Sequence, residues 1–200
     1  MRIKYNAPVI LTFSLVCALI MLLSQTLIPN LNLYWFTVPG KVDFHISSIR
    51  NCISLFTHIM GHANWSHLIS NFTLILLIGP MLEENYGSVD LFIMITITAL
   101  VTGVLNVLVF KTALLGASGV VFMMILLSSF TNFSKGEIPL TFILVLILYL
   151  GVQLVNSLGS ENISHFAHII GGLCGSIFGF LRPEKNVGRS TKHEKRISSV

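Results

Sequence analysis

Polar residues divide the chain into six apolar stretches, at about residues 8–28, 58–82, 91–110, 117–133, 138–158 and 164–181. A helix needs roughly 20 mainly apolar residues to cross the hydrocarbon of a bilayer. The pattern therefore predicts six transmembrane helices. Their connections are short, except for a long loop over residues 29–57, where Tyr34, Trp35 and Phe36 suit a membrane–water interface. The second stretch is the most polar. The fourth is short; it is preceded by small residues, Gly116-Ala117-Ser118-Gly119, and ends in Ser128, Ser129, Thr131 and Asn132. Lys111 must stay near the surface, so the segment after it is expected to dip inward and start its helix at depth. Irregular backbone at that depth is tolerated only against protein or a water-filled cavity. A cavity on the outer side, with Ser118 at its floor, is implied. Gln153 and Asn156 place polar groups near the outer end of the fifth stretch.

Composition changes this picture little. Apolar residues make up 54% and charged ones 10%, and the mean hydropathy is +0.83. A soluble domain carries about a quarter charged residues, so an ordinary soluble globule is excluded. The net charge of +4 is not a nucleic-acid signature, because six of the twelve Lys and Arg lie in the tail from Arg182 to Val200. A basic tail beside a span sets topology and touches anionic lipid. With the N-terminus inside, nine Lys and Arg fall on the cytoplasmic side and three, Lys41, Arg50 and Lys111, outside. Both termini are therefore expected in the cytoplasm of a multi-pass cell-membrane protein. The expected organisation is a six-helix membrane domain over residues 1–182 and a basic cytoplasmic tail over 183–200. The start resembles a signal peptide, but its apolar run is long enough to span and no small-x-small site follows, so it is read as a retained helix. Cys17, Cys52 and Cys174 have no ligand spacing and are read as packing residues.

The candidate chemistry lies inside the spans. An ionisable side chain there is costly and usually marks function. His168 falls about six residues into the last stretch, roughly 9 Å below its outer end at ~1.5 Å per residue. Ser118 enters from the same side at a matching depth. A lone membrane serine ordinarily bonds back to its own helix; a histidine at the same depth is what favours chemistry. A hydroxyl becomes a useful nucleophile when a base takes its proton, and neutral imidazole can later protonate a leaving amine. The N–H groups at a helix start can hold an oxyanion. His67 and Asn71, four apart, share a helical face and can donate to the same charge. His58 and His62 precede them, but without HExxH or a nearby carboxylate a metal site is not expected. No cofactor is expected either. Gly171, Gly175 and Gly179 form a stripe that lets helices approach closely, and Phe122, one turn from Ser118, can pack on the imidazole.

These residues resemble the rhomboid family of intramembrane serine proteases. Gly116-Ala117-Ser118-Gly119 matches the family's GxSG and Ala167-His168-Ile169-Ile170-Gly171 its AHxxG. His62-x4-His67-x3-Asn71 and Glu83-x3-Gly87-Ser88 extend the match, which covers about Thr57 to Phe180. The resemblance implies an all-α, six-helix bundle with a Ser118–His168 dyad and no aspartate. It implies an oxyanion hole of His67, Asn71 and the Ser118 N–H, with Phe122 stacked on the histidine and Asn106 holding water nearby. Gly116, Gly119, His62, Gly171 and Gly175 are supporting positions. Implied substrates are single-pass membrane proteins, cut near the outer end of their helix. Two features depart from the family: Ile53-Ser54 stand where many members carry Trp-Arg, with Arg50 nearby, and Asn85 replaces a common arginine. A catalytically inactive relative that binds client helices is the alternative reading. A transporter is a third, but it would need ionisable residues along a full crossing.

Overall fold

The structure, a computed structural model, describes residues 4–130, 138, 140–150 and 163–182. Its helices are α1 (Pro8–Thr26), α2 (Leu31–Trp35), α3 (Ile49–Thr57), α4 (Trp65–Tyr86), α5 (Ser88–Val109), α6 (Ser118–Ser128), α7 (Leu140–Val145) and α8 (Ile163–Leu181). A 3-10 turn (His58–Met60) follows α3, and a π-helical turn (Leu146–Leu150) follows α7. α1, α4 and α5 are each long and apolar enough to cross a bilayer. The second half of the fifth expected span, with Gln153 and Asn156, lies outside the described residues. So do Lys135, the end of the fourth stretch and the tail over 183–200.

Two boundaries differ from the sequence pattern. The second apolar stretch does not begin its helix at His58. Asn64, in extended conformation, accepts the His67 N–H at 2.8 Å and caps α4, which starts at Trp65. His58 and His62 therefore stand before the helix that carries His67. The long loop also holds two helices, α2 and α3. Ser48 caps α3, and Arg50 lies over the Tyr34 ring at 4.8 Å.

α6 is the centre of the bundle. Every residue from Gly119 to Leu127 is buried, which explains why its hydropathy has no polar face. α8 packs along it through the glycine stripe. Side chains at Gly171, Gly175 and Gly179 would overlap the Gly119 backbone, the Met123 backbone and the Phe130 ring. Backbones this close gain dispersion over the whole contact.

A buried carboxylate joins the starts of α1 and α5. Glu83, near the end of α4, is 5% exposed. Its Oε1 accepts the Val9 N–H at 3.0 Å and the Ser88 hydroxyl at 2.7 Å; Oε2 accepts the Ile10 N–H at 3.0 Å. The first-turn N–H groups of a helix have no partner within it, and Glu83 satisfies two of them with a favourable charge. At the other end of the long loop, Val38 and Leu114 exchange both backbone hydrogen bonds at 2.9 Å. This bridge fastens the loop to the irregular segment ahead of α6. Arg182, just past α8, pairs with Asp90 in the first turn of α5 at 2.7 Å.

Candidate active site

α6 begins where Gly116 turns the chain. Gly116 has φ +118°, a region that L side chains rarely adopt, and its N–H donates to the His58 carbonyl at 2.9 Å. The His67 ring covers its Cα, so a Cβ there would lie 2.6 Å from His67 Cε1. The first rung of α6 is Val121 N–H to the Ala117 carbonyl at 2.9 Å. The N–H groups of Ser118, Gly119 and Val120 thus precede the helical ladder, at the positive end of the helix dipole.

A cavity of about 340 Å³ opens at this point. α4 lines it with His67, Ser70, Asn71 and Leu74, the i, i+3, i+4 and i+7 positions of one face. α6 contributes Ser118, Val121 and Phe122; α8 contributes His168; the preceding segment contributes Leu114 and Leu115. Phe122 and His168 stack with centroids 4.2 Å apart and planes 10° from parallel. Asn71 is 6% exposed, and its Nδ2 has no hydrogen-bond partner among the described residues. An orphaned buried donor costs about 1–3 kcal/mol, and natural structures keep such groups at few places, functional sites among them. The Ser118 hydroxyl and the His168 imidazole face this one cavity from α6 and α8.

The other predicted residues stand behind this wall. Gly119 and Gly171 meet beneath it, and Gly175 meets Met123 further along α6. His62 is buried. Its Nδ1 donates to the Met60 carbonyl at 3.3 Å, its ring lies edge-on to His67 at 5.1 Å, and its carbonyl accepts from Asn32 Nδ2 at 3.0 Å. Asn106, 1% exposed, donates to the Thr112 carbonyl at 3.2 Å, and its Oδ1 has no partner among the described residues. Among those residues no group of three His, Cys, Asp or Glu is placed to hold a metal ion.

Two contributors were not anticipated. Ser70 lines the cavity, and its place at i+3 from His67, beside Asn71, is a signal that the helical period offers. His58 is the other. Its Nδ1 donates to the Ser54 carbonyl at 3.2 Å, its Nε2 is 3.3 Å from Thr102 Oγ1, and its carbonyl holds Gly116. It therefore ties α3, α5 and the Ser118 turn together. Ser54, at the departure from Trp-Arg, is fully buried and supports this ring.

A family model of the rhomboid domain matches residues 50–185, the stretch that contains every wall of the cavity. The chain belongs to the rhomboid family. It is 25% identical over 179 residues to the rhomboid protease GlpG of Haemophilus influenzae, covering 88% of this chain and 91% of that protein. This rhomboid chain is accordingly an all-α, polytopic membrane bundle. The family match begins inside α3, whereas the likeness to GlpG extends over most of the chain.

Proposed function

We propose that this chain is an intramembrane serine endopeptidase acting through Ser118 and His168. The observation that carries the reading is the single cavity at the start of α6. It gathers a hydroxyl, an imidazole stacked on an aromatic ring, and an amide donor with no partner among the described residues. Membership of the family and likeness to a named rhomboid protease support it.

In the proposed reaction the Ser118 hydroxyl attacks the substrate carbonyl as His168 takes its proton. Charge on the carbonyl oxygen is met by Asn71 Nδ2, the His67 ring and the Ser118 N–H, donors already in place before the charge develops. His168 then protonates the leaving amine, and the acyl–oxygen bond to Ser118 is broken by water whose proton returns through the imidazole. Asn106, whose Oδ1 has no partner among the described residues, holds water on the route to this step. Phe122 fixes the plane of the imidazole. The six-helix domain over 1–182, with its tail over 183–200 and both termini in the cytoplasm of the cell membrane, opens this cavity outward. Single-pass membrane proteins are cut there, near the outer end of their helix.

Labelling of the folded protein by a fluorophosphonate tests the assignment. Labelling is expected in the parent, and its loss in Ser118→Ala and His168→Ala. An unlabelled parent favours the inactive, client-binding relative; labelling that survives Ser118→Ala removes the nucleophile.

A further inference from the structure

A second cavity, of about 680 Å³, shares no lining residue with the first and lies between α1, α5 and the α3 end of the long loop. Glu83 holds the starts of α1 and α5 together, so both helices leave the same face of the membrane side by side. The cavity follows α1 from Pro8 to Val16 and α5 from Ser88 to Thr96, about 12 Å of helix at 1.5 Å per residue. The end of α3 and the turn after it close it above, through Phe56 and Met60. Phe13, Ile59 and Ile95 are buried in its floor; Val16, Phe56 and Phe92, at 36%, 41% and 59% exposed, stand at its rim. The opening therefore faces sideways, where a membrane protein meets lipid.

The walls decide what fills it. The few polar lining groups are largely occupied: Thr12 bonds Tyr5 at 2.9 Å, Thr57 and Thr96 bond backbone carbonyls at 2.8 Å, and Ser88 bonds Glu83. Water in such a space lacks the two to four partners it needs, and an empty space of this size forfeits dispersion contacts along both helices. The apolar filler present at that depth is an acyl chain. Lys4, exposed and with no ion-pair partner among the described residues, directly precedes Tyr5, whose hydroxyl bonds Thr12 of the groove wall. A lysine at a membrane face attracts anionic headgroups.

We propose that this groove is a phospholipid site, holding one acyl chain between α1 and α5 with an anionic headgroup against Lys4. The lipid completes a wall that protein side chains leave open and touches none of the residues that line the Ser118 cavity.

Native mass spectrometry of the full chain tests this, after incubation in mild detergent with palmitoyl-oleoyl phosphatidylglycerol or the matching phosphatidylcholine. The parent is expected to retain one phosphatidylglycerol. Val16→Trp, which fills the groove from its rim, is expected to lose that lipid, whereas Leu19→Trp, an exposed position outside the groove, keeps it. Lys4→Glu is expected to lower phosphatidylglycerol retention at least threefold. Thr96→Leu adds bulk from the opposite wall and serves if Val16→Trp does not fold. Equal retention in the parent and both filled variants overturns the site. A dimer that Val16→Trp dissociates overturns the choice of occupant, and equal retention of phosphatidylcholine overturns the headgroup assignment. Each readout is a mass and is independent of proteolysis.

Discussion

Gly171→Ala is expected to disable the protein through geometry. Gly171 sits against the Gly119 backbone, and an added Cβ would overlap the Gly119 carbonyl and Cα. Ordinary contact requires α6 and α8 to separate by on the order of 1 Å at that level. His168 is one turn before Gly171 on α8, and Ser118 immediately precedes Gly119. The separation therefore passes almost undiminished to the distance between hydroxyl and imidazole. A misplacement of about 1 Å in reacting groups can cost ~10²-fold in rate, and forcing a methyl group into a full core costs about 1–3 kcal/mol. The assay is kcat and KM on a membrane-helix reporter in vesicles, with thermal unfolding measured in parallel. A fall in kcat of about 10²-fold is expected, with KM little changed because the α4 wall and the Leu114–Leu115 segment stay in place. The unfolding temperature should drop. Leu173→Ala, on the exposed side of α8, should leave kcat near the parent value. Parent kcat in Gly171→Ala at parent stability would refute the idea that this backbone contact sets the separation.

Other substitutions test other parts of the same arrangement. Asn71→Ala should lower kcat by about 10²- to 10³-fold, the loss typical of one oxyanion donor. It should not lower the unfolding temperature, since its buried Nδ2 has no partner among the described residues; a destabilised variant with unchanged kcat would assign Asn71 to structure. Glu83→Gln places an amide donor against an N–H or the Ser88 hydroxyl and should cost about 2 kcal/mol in denaturant unfolding, with the labelled fraction of folded protein unchanged. A cost within error of zero would remove the cap from the stability of α1. Gly116→Ala combines a strained φ with the His67 ring and should be far more damaging to labelling than Gly119→Ala, whose Cβ would meet Thr102 Cγ2 at 3.2 Å. The reverse order would contradict the placement of His67 over the turn.

The spans were legible because hydropathy reports burial from water directly, and α1, α5 and α8 begin and end within a few residues of the apolar runs. The start of α4 was not. His58 to Leu82 reads as one apolar stretch, and the Asn64 cap inside it competes with hydropathy. Ser118, His168, His67 and Asn71 were marked by their chemistry at membrane depth, and the structure puts all four on one cavity. His58 escaped because its work is done by its carbonyl as much as its ring, and a backbone atom leaves no trace in residue type. The Val38–Leu114 bridge is equally silent: 76 residues separate its partners, and either could be exchanged for another apolar residue.

The shortness of α6 bears on how the protein is made. Eleven residues give about 16 Å of helix, well under the ~30 Å of hydrocarbon, so this segment cannot be stably threaded by itself during synthesis. It must be sheltered by neighbours, and the one that seats against its glycine, α8, is made after it. On the proposed assignment, a nascent or truncated chain lacking α8 carries a serine with no base. On that assignment the pair is armed only once α8 has been made, and copies that stop short of it are harmless to the other proteins entering the membrane beside them.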